Sequence, residues 1–293
     1  MLLPENPFLQ LTMPRVTGAL GRLERSIWHK VSDVECAFGG SGPRFMSLDE
    51  ARKAKFRKVK LPFSWGRLFD EGWFELKVMS WPSDGWLCWR DDGEGTLYVD
   101  GLPYYGFDVA HRFCKLPARR ARLAMHSLCL QSAIWHPNAA GMGREGSRLT
   151  EAAIYRRDDA AWSLYHDFLC LSELANEEIK TTGLVPTPEA GHGAGWHPPL
   201  HQAPVLLRRV LRGLDDAVSA FDLHGVEAAR KETAKIFAWL RGQHERLKAV
   251  LTGHAHIDLV WLWPERVMGY KGAHTFATMN RLMGEYPEFR FAS

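Results

Sequence analysis

The sequence has no long uncharged hydrophobic run, and no stretch approaches the ~18 apolar residues that a membrane-spanning helix needs. Pro4, Glu5 and Pro7 interrupt the N-terminus where a signal peptide would have its apolar core. Both absences argue against a membrane-embedded or secreted protein. We therefore expect a cytoplasmic protein without a membrane partner.

Cysteine and charge of one sign are also scarce. The chain has five scattered cysteines and no CxxC pair, which is typical of reduced thiols in a cytoplasmic protein. The 37 Lys+Arg and 34 Asp+Glu leave a net charge of only +3. The basic run within 52–60 lacks interleaved stacking aromatics, so we interpret it as solvated surface and expect no nucleic-acid partner.

The remaining composition is that of a folded protein. Hydrophobic residues make up 46% and charged residues 24% of 293 residues, which predicts about two domains. The twelve tryptophans suit either β-sheet cores or sugar-binding surfaces. Because alternation along strands mostly fills cores, we take the core as the default for the aromatics between residues 73 and 105.

The pattern of apolar residues divides the chain into four segments. Residues 1–60 form a helical segment, with a helix predicted over Val16–Val31 from one apolar face. Residues 61–150 form a β-sandwich-like domain of short antiparallel strands, residues 151–247 a helical connector, and residues 248–293 the start of a further domain. The predicted strands are Trp73–Met79, Trp86–Arg90, Thr96–Val99 and Leu128–Ile134, with turns at 91–95 and at Asp100-Gly101.

Three helices are predicted for the connector. They are Arg156–Asn176, a helix with a stripe of Leu207, Val210, Leu211, Leu214, Val218 and Phe221, and Glu227–Leu247. The Gly- and Pro-rich segment 191–201 holds His192, His197 and His201, but it has no carboxylate or thiolate nearby. We interpret it as a mobile loop rather than a metal site.

The residues that carry chemistry lie near the end of the chain. A short buried strand is predicted over Arg246–Thr252, and His254, His256 and Asp258 follow it at alternate positions, which share one face of an extended backbone. Two imidazoles and a carboxylate at the end of a parallel strand suit a divalent cation.

A helix over 267–285 and a strand over Phe289–Ala292 complete a βαβ unit. The helix stripe is Phe276, Met279, Met283 and Tyr286. One such unit cannot cover both faces of its strands, so it is the opening of a larger parallel sheet. The overall expectation is an α+β protein: an antiparallel sandwich-like domain, a helical connector and the opening βαβ unit of a truncated α/β barrel.

Two blocks near the end, GHAHIDLVWLWPER (253–266) and HTFATMNRLMGEYPEFRFAS (274–293), closely resemble the opening of the catalytic domain of glycoside hydrolase family 38, the α-mannosidases. DGEGTLYVDGLPYYGFDVAHR (92–112) more weakly resembles the β-rich N-terminal domain of the cytosolic and bacterial branch. Val267 and His274 depart from the family pattern, and Gly269 and Gly272 should each weaken the helix by about 1 kcal/mol.

The resemblance implies a zinc-dependent retaining enzyme that hydrolyses terminal α-mannosides of oligosaccharides. It assigns His256 and Asp258 as two zinc ligands and Trp261 as the residue that stacks on mannose. His254 would be a neighbour of the site. The nucleophile and the acid/base are expected beyond Ser293, so no catalytic residue is assigned within the chain, and we expect the chain alone to be inactive.

Two alternatives stay open. In the first, the sandwich-like domain would be a non-enzymatic carbohydrate-binding or oligomerisation module with a vestigial barrel opening. In the second, the chain would belong to a metal-dependent amidohydrolase in which His254 and His256 are the metal ligands. Homo-oligomerisation, linkage specificity and the physiological glycan are not determined by the sequence.

Overall fold

The structure is a computed structural model that describes residues 11–130, 146–183, 185–188, 194–197, 203–242, 252–254 and 263–292. For 185–188 and 194–197 it describes the backbone only. The chain forms two compact units: Met1–His29 with Arg157–Lys248, and Lys30–Arg156 with Ala249–Ser293. We call them the helical unit and the β-rich unit.

The described residues contain six α-helices and fifteen strands. The helices are α1 Thr12–Ile27, α2 Leu48–Ala51, α3 Asp159–Thr182, α4 Val205–His224, α5 Val226–Arg241 and α6 Met268–Glu285, with a 3-10 turn at Glu265–Val267. The strands are β1 Trp28–Gly42, β2 Arg57–Lys58, β3 Phe63–Trp65, β4 Glu71–Val78, β5 Trp86–Arg90, β6 Glu94–Val99, β7 Leu102–Phe107, β8 Phe113–Lys115, β9 Leu123–Leu128, β10 Ser147–Leu149, β11 Glu151–Arg157, β12 Val185–Pro188, β13 Ala194–His197, β14 Gly253–His254 and β15 Phe291–Ala292.

Helices α1, α3, α4 and α5 share the core of the helical unit. The predicted α4 stripe is confirmed, because Leu207, Val210, Leu211, Leu214 and Val218 are all buried there. Helix α3 begins where the Asp158 carboxylate accepts the Ala161 N–H at 2.9 Å, and it ends at Gly183, whose φ of 67° suits glycine.

The predicted ends of two helices differ from the structure. The helix predicted over Val16–Val31 ends at Ile27, and the next residues enter strand β1. Apolar spacing alone did not indicate the end of the helix, because the β-branched Val31 fits both a helical and a strand periodicity. The third connector helix ends at Arg241 rather than at Leu247, and residues 243–247 lie outside the described residues.

A nine-stranded sheet dominates the β-rich unit. Its order is β7-β6-β9-β4-β1-β11-β5-β8, with β2 also paired to β1. The Phe74 ring on β4 lies 5.3 Å from the Trp89 ring on β5, although two strands separate β4 from β5 in that order. The sheet therefore curls around one core and is nearly barrel-like. The expected antiparallel strands form one continuous sheet instead of two separate sheets.

The predicted strands are largely confirmed, with one exception. Trp86–Arg90 is β5, and the Asp100-Gly101 turn joins β6 to β7 with φ values of 51° and 96°. The strand predicted over Leu128–Ile134 is not observed at residues 129 and 130, because strand β9 ends at Leu128, and residues 131–134 lie outside the described residues. The core interpretation of the aromatics is confirmed for Trp73, Trp89 and Tyr105.

The C-terminal segment contains a strand–helix–strand arrangement. Strands β14 and β15 pair in parallel, with His254 opposite Ala292, and helix α6 lies between them in sequence. This pairing agrees with the predicted βαβ unit, while a complete barrel remains a proposal. The predicted apolar face of α6 is wrong, since Phe276 and Tyr286 are exposed. The buried residues of the helix are Tyr270, Lys271, His274, Ala277 and Thr278.

Candidate functional site

The predicted metal-binding residues follow directly after strand β14. His256, Asp258 and Trp261 lie outside the described residues, and so do the histidines of the 191–201 segment except His197, of which only the backbone is described. His254 is described, and its side chain is exposed at the end of β14. The structure therefore places the start of the HxHxD segment at the end of a parallel strand.

The His254 imidazole is held by the neighbouring strand. Its Nδ1 lies 3.1 Å from the carbonyl oxygen of Ala292. Because a carbonyl only accepts, this contact requires a proton on Nδ1 and leaves Nε2 as the acceptor of a neutral ring. The contact fixes the ring between β14 and β15 and leaves one nitrogen for a metal or a polar neighbour.

No group of three or more His, Cys, Asp or Glu that could hold a metal occurs among the residues that the structure describes. His256 and Asp258 lie outside those residues. An imidazole and a carboxylate are donors that zinc accepts, and the parallel β14–β15 pair supplies the strand end at which we expected them. The chemistry of these donors would therefore suit a zinc ion.

An apolar cluster fixes the chain where it leaves the predicted site. Trp263, Val267 and Tyr270 are buried together with Leu128 and Leu130 from the end of β9 and beyond. The Lys271 ammonium lies 4.4 Å from the centre of the Trp263 ring, a cation–π contact. The segment that follows Trp261 is therefore packed onto the β-rich unit.

Helix α6 contacts the sheet through polar side chains. The Lys271 Nζ lies 2.6 Å from the Glu94 carboxylate, and both side chains are nearly buried. The Thr278 hydroxyl accepts the Gly106 N–H at 2.9 Å, and the His274 Nδ1 lies 3.4 Å from the hydroxyl of Thr96. Charge-assisted bonds of this kind fix one orientation of a helix on a sheet.

A buried His–Glu pair lies under the same helix. His126 on β9 is hydrogen-bonded to Glu71 on β4 at 2.8 Å, and each side chain is only 2% exposed. The imidazole stacks on the Trp73 indole at 4.3 Å and meets the Tyr270 ring of α6 edge-on at 5.0 Å. Burial raises the pKa of Tyr270 well above its usual value.

Asp108 connects the β7–β8 loop to α6. Its carboxylate lies 2.9 Å from the His111 Nδ1 and 3.9 Å from the His274 Nε2. Burial opposes ionisation of Asp108, but the hydrogen bonds from His111 and the nearby His274 imidazole outweigh it and lower the pKa of Asp108. The hydrogen bond to Asp108 in turn raises the pKa of His111.

Sequence reasoning identified the segment 253–266 but missed this polar contact surface. The available signal was the spacing of Tyr270, His274 and Thr278, which recur every four residues on one helix face. Polar residues at that spacing ordinarily indicate a solvated face. Their partners Thr96 and Gly106 come from a distant part of the chain, which one-dimensional periodicity does not reveal.

A family match includes the segment that holds His254. Residues 246–293 match the family described as "Glycosyl hydrolases family 38 N-terminal domain", so the resemblance to the glycoside hydrolase family 38 α-mannosidases is confirmed. The chain is 25% identical over 281 residues to the Homo sapiens protein "Alpha-mannosidase 2C1" and 22% identical over 282 residues to its Mus musculus counterpart. Each alignment covers 85% of this chain and 24% of the relative, so the chain spans about a quarter of the length of these relatives.

Similarity to solved structures is weak. A structure of "CBM51-2 in complex with GlcNAc and INT domains from Clostridium perfringens ZmpB" is 10% identical, with a TM-score of 0.20 over 77% of this chain and 45% of that one. A similarity at that level supports no argument about fold or function. Among the described helices, none combines the length and hydrophobicity that crossing a bilayer requires.

Proposed function

We propose that the chain is the N-terminal part of a zinc-dependent retaining α-mannosidase that hydrolyses terminal α-mannosides of oligosaccharides. The observation that carries the proposal is the family 38 match over residues 246–293. Within this segment β14 and β15 pair in parallel, and helix α6 lies between them in sequence. That pairing supports a site at the strand end, directly after His254. A cytoplasmic location and α-mannoside partners are part of the same proposal.

In this proposal His256 and Asp258 hold the metal and Trp261 stacks on the sugar ring. Bound zinc would supply a Lewis acid that holds two neighbouring sugar hydroxyls. His254, fixed by Ala292, would orient its neighbours rather than bind the ion. Trp263 and Tyr270 would anchor the chain that leaves the site onto the sheet.

Retaining chemistry also needs two carboxyl groups about 5–5.5 Å apart, one as nucleophile and one as acid/base. The resemblance assigns neither to residues of this chain. We therefore propose that residues 1–293 alone do not hydrolyse an aryl α-mannoside above the uncatalysed rate. Zinc-dependent turnover by these residues alone would contradict this.

The experiment that tests the metal assignment uses a protein that carries the rest of the catalytic domain. Zinc content after dialysis is measured for His256→Ala, Asp258→Ala and His254→Ala. We expect zinc to be nearly lost from the first two, because each removes a direct ligand. A residue that only orients a ligand typically changes affinity about 10–100-fold, which is the result expected for His254→Ala.

The same three variants separate the competing enzyme class. If Asp258→Ala retains zinc while His254→Ala loses it, the metal geometry is that of an amidohydrolase and the mannosidase assignment is wrong. Hydrolysis of an aryl α-mannoside by the unsubstituted longer protein supplies the second criterion. If the zinc-loaded longer protein does not hydrolyse this substrate, a non-enzymatic role is favoured.

A further inference from the structure

An open cleft lies on the outer face of the sheet in the β-rich unit. Its volume is about 530 Å³, within the range of small-molecule binding sites. Phe74, Leu76 and Met125 point from strands β4 and β9 into the core, so the intervening residues of these strands point outward. The cleft is formed by those outward residues and by the segment from α2 to β2.

One cross-strand row forms the floor of the cleft. Ala37 on β1 pairs with Glu75 on β4, Glu75 pairs with Ala124 on β9, and Ala124 pairs with Tyr98 on β6. Two alanines therefore flank the Glu75 carboxylate, and their small side chains leave open space on both sides of it. Glu75 is itself exposed, so its oxygens are available to a ligand.

Two aromatic rings stand at opposite ends of this row. Tyr98, partly exposed, ends it on β6 and lies 5.0 Å from the buried Trp73 ring. At the β1 end the Phe56 ring packs onto Gly39, where a Cβ would come within 2.9 Å of it. Gly39 thus allows the ring to lie close to the strand, and both rings line the cleft.

The rim carries four basic side chains and one lining carboxylate, Glu35, and the nearby carboxylates of Asp49 and Asp100 offset part of that positive charge. Glu35 and Lys58 form an ion pair at 3.0 Å, and Lys77 lies opposite Glu35 across the strands. Arg52 and Arg122 line the opposite wall, beside the Asp100-Gly101 turn. The rim therefore offers both hydrogen-bond donors and an acceptor around a floor with an aromatic ring at each end.

We propose that this cleft is a non-catalytic binding site for a short neutral oligosaccharide. Sugar hydroxyl groups both donate and accept, so they match a rim that holds ammonium and guanidinium donors together with the Glu35 carboxylate. The C–H faces of pyranose rings pack on aromatic rings such as those of Tyr98 and Phe56. The Glu75 carboxylate at the centre of the floor would accept hydrogen bonds from ligand hydroxyl groups and would disfavour a phosphate or carboxylate at that point of the floor.

The inference is separate from the proposed hydrolysis. The described residues that line the cleft lie between residues 35 and 124 of the β-rich unit, and the described His254 is not among them. Binding by residues 1–293 without hydrolysis would therefore support the cleft even if the mannosidase proposal failed. Conversely, a zinc-dependent enzyme with an inert cleft would refute only this inference.

The test measures binding of neutral probes to the 1–293 chain by saturation-transfer NMR and calorimetry. The probes are α-mannobiose, cellotriose and maltotriose, with glucose 6-phosphate as the anionic comparison. We expect at least one neutral probe to bind. Glu75→Ala should weaken that binding at least about tenfold, the loss expected for a hydrogen bond to a charged group. Glu24→Ala, which removes an exposed carboxylate on α1, should leave it unchanged.

Filling the floor provides an independent variant. Ala124→Leu should block the cleft from β9, and Ala37→Leu should do so from β1 if the first substitution lowers the thermal midpoint. Each blocked variant that retains the wild-type circular dichroism spectrum should lose binding. The inference is overturned if no neutral probe binds, if only glucose 6-phosphate binds, or if Asp258→Ala abolishes binding while Glu75→Ala and a folded blocked variant do not.

Discussion

Lys271 and Glu94 form an ion pair at 2.6 Å that joins helix α6 to strand β6, and their side chains are only 10% and 13% exposed. The pair connects the segment that matches family 38 to the sheet that precedes it. A buried pair is costly to break from one side, because the remaining charge keeps its desolvation penalty without its partner. Removing one partner should therefore lower the free energy of unfolding by a measurable amount.

Lys271→Met should destabilise the protein by about 3–5 kcal/mol, since Glu94 is left buried and charged. Urea unfolding monitored by circular dichroism measures the change. The matched control is Lys235→Met, which breaks the exposed Lys235–Glu232 pair of α5 and should cost no more than about 1 kcal/mol. Equal effects of the two substitutions would contradict the buried role of the Lys271–Glu94 pair.

The stability of the β-rich unit should depend on the ionisation of Asp91. Burial raises the pKa of Asp91 to about 7, against a hydrogen bond from Trp65. A raised carboxyl pKa means that folding favours the protonated form, so stability is highest below the ordinary value near 3.8 and falls as pH rises through 7. The opposite slope would contradict this assignment.

Asp91→Asn should remove that dependence, because the amide stays neutral and still accepts from Trp65. We expect little stabilisation at pH 4 and a gain on the order of a few kcal/mol at pH 8. Thermal midpoints at both pH values measure it. Asp92→Asn, at the exposed neighbouring position, is the control and should change both midpoints far less, because the Asp92 charge is the smallest of the causes that act on Asp91. A gain that is equal at both pH values would show that the effect is not ionisation.

Sequence periodicity predicted the interior elements because each has its own apolar pattern. Leu207 and Leu214 lie on one face of α4 whatever surrounds that helix, so their burial could be predicted. The face of α6 that contacts the sheet could not be predicted in this way, because His274 and Thr278 are buried only through partners in β6 and β7. Among the predicted site residues, only His254 lies within the described part of the chain, so the assignments of His256, Asp258 and Trp261 stay predictions.

The α4 stripe itself gives a simple test of the helical unit. Leu211 is fully buried in the core, while Leu223 on the same helix is 75% exposed. Leu211→Ala should cost about 2–5 kcal/mol through lost burial and the cavity that remains. Leu223→Ala should change stability by no more than about 0.5 kcal/mol. Denaturant unfolding compares them, and similar losses would argue against the observed helix orientation.

Alanine substitutions of two glycines should have opposite effects on hydrogen exchange in α6. A Cβ on Gly106 would come within 2.6 Å of the His274 Nε2, whereas a Cβ on Gly272 would meet nothing within 4 Å. Gly106→Ala should therefore push α6 away from β7 and accelerate hydrogen exchange of the α6 amides. Gly272→Ala should slow that exchange, since alanine favours a helix over glycine by about 1 kcal/mol. His274→Ala makes room for the new methyl group of Gly106→Ala. The double variant should therefore lose less protection of the α6 amides from hydrogen exchange than the two single variants lose in sum. Additive losses would show that the Gly106 effect does not arise from the His274 ring.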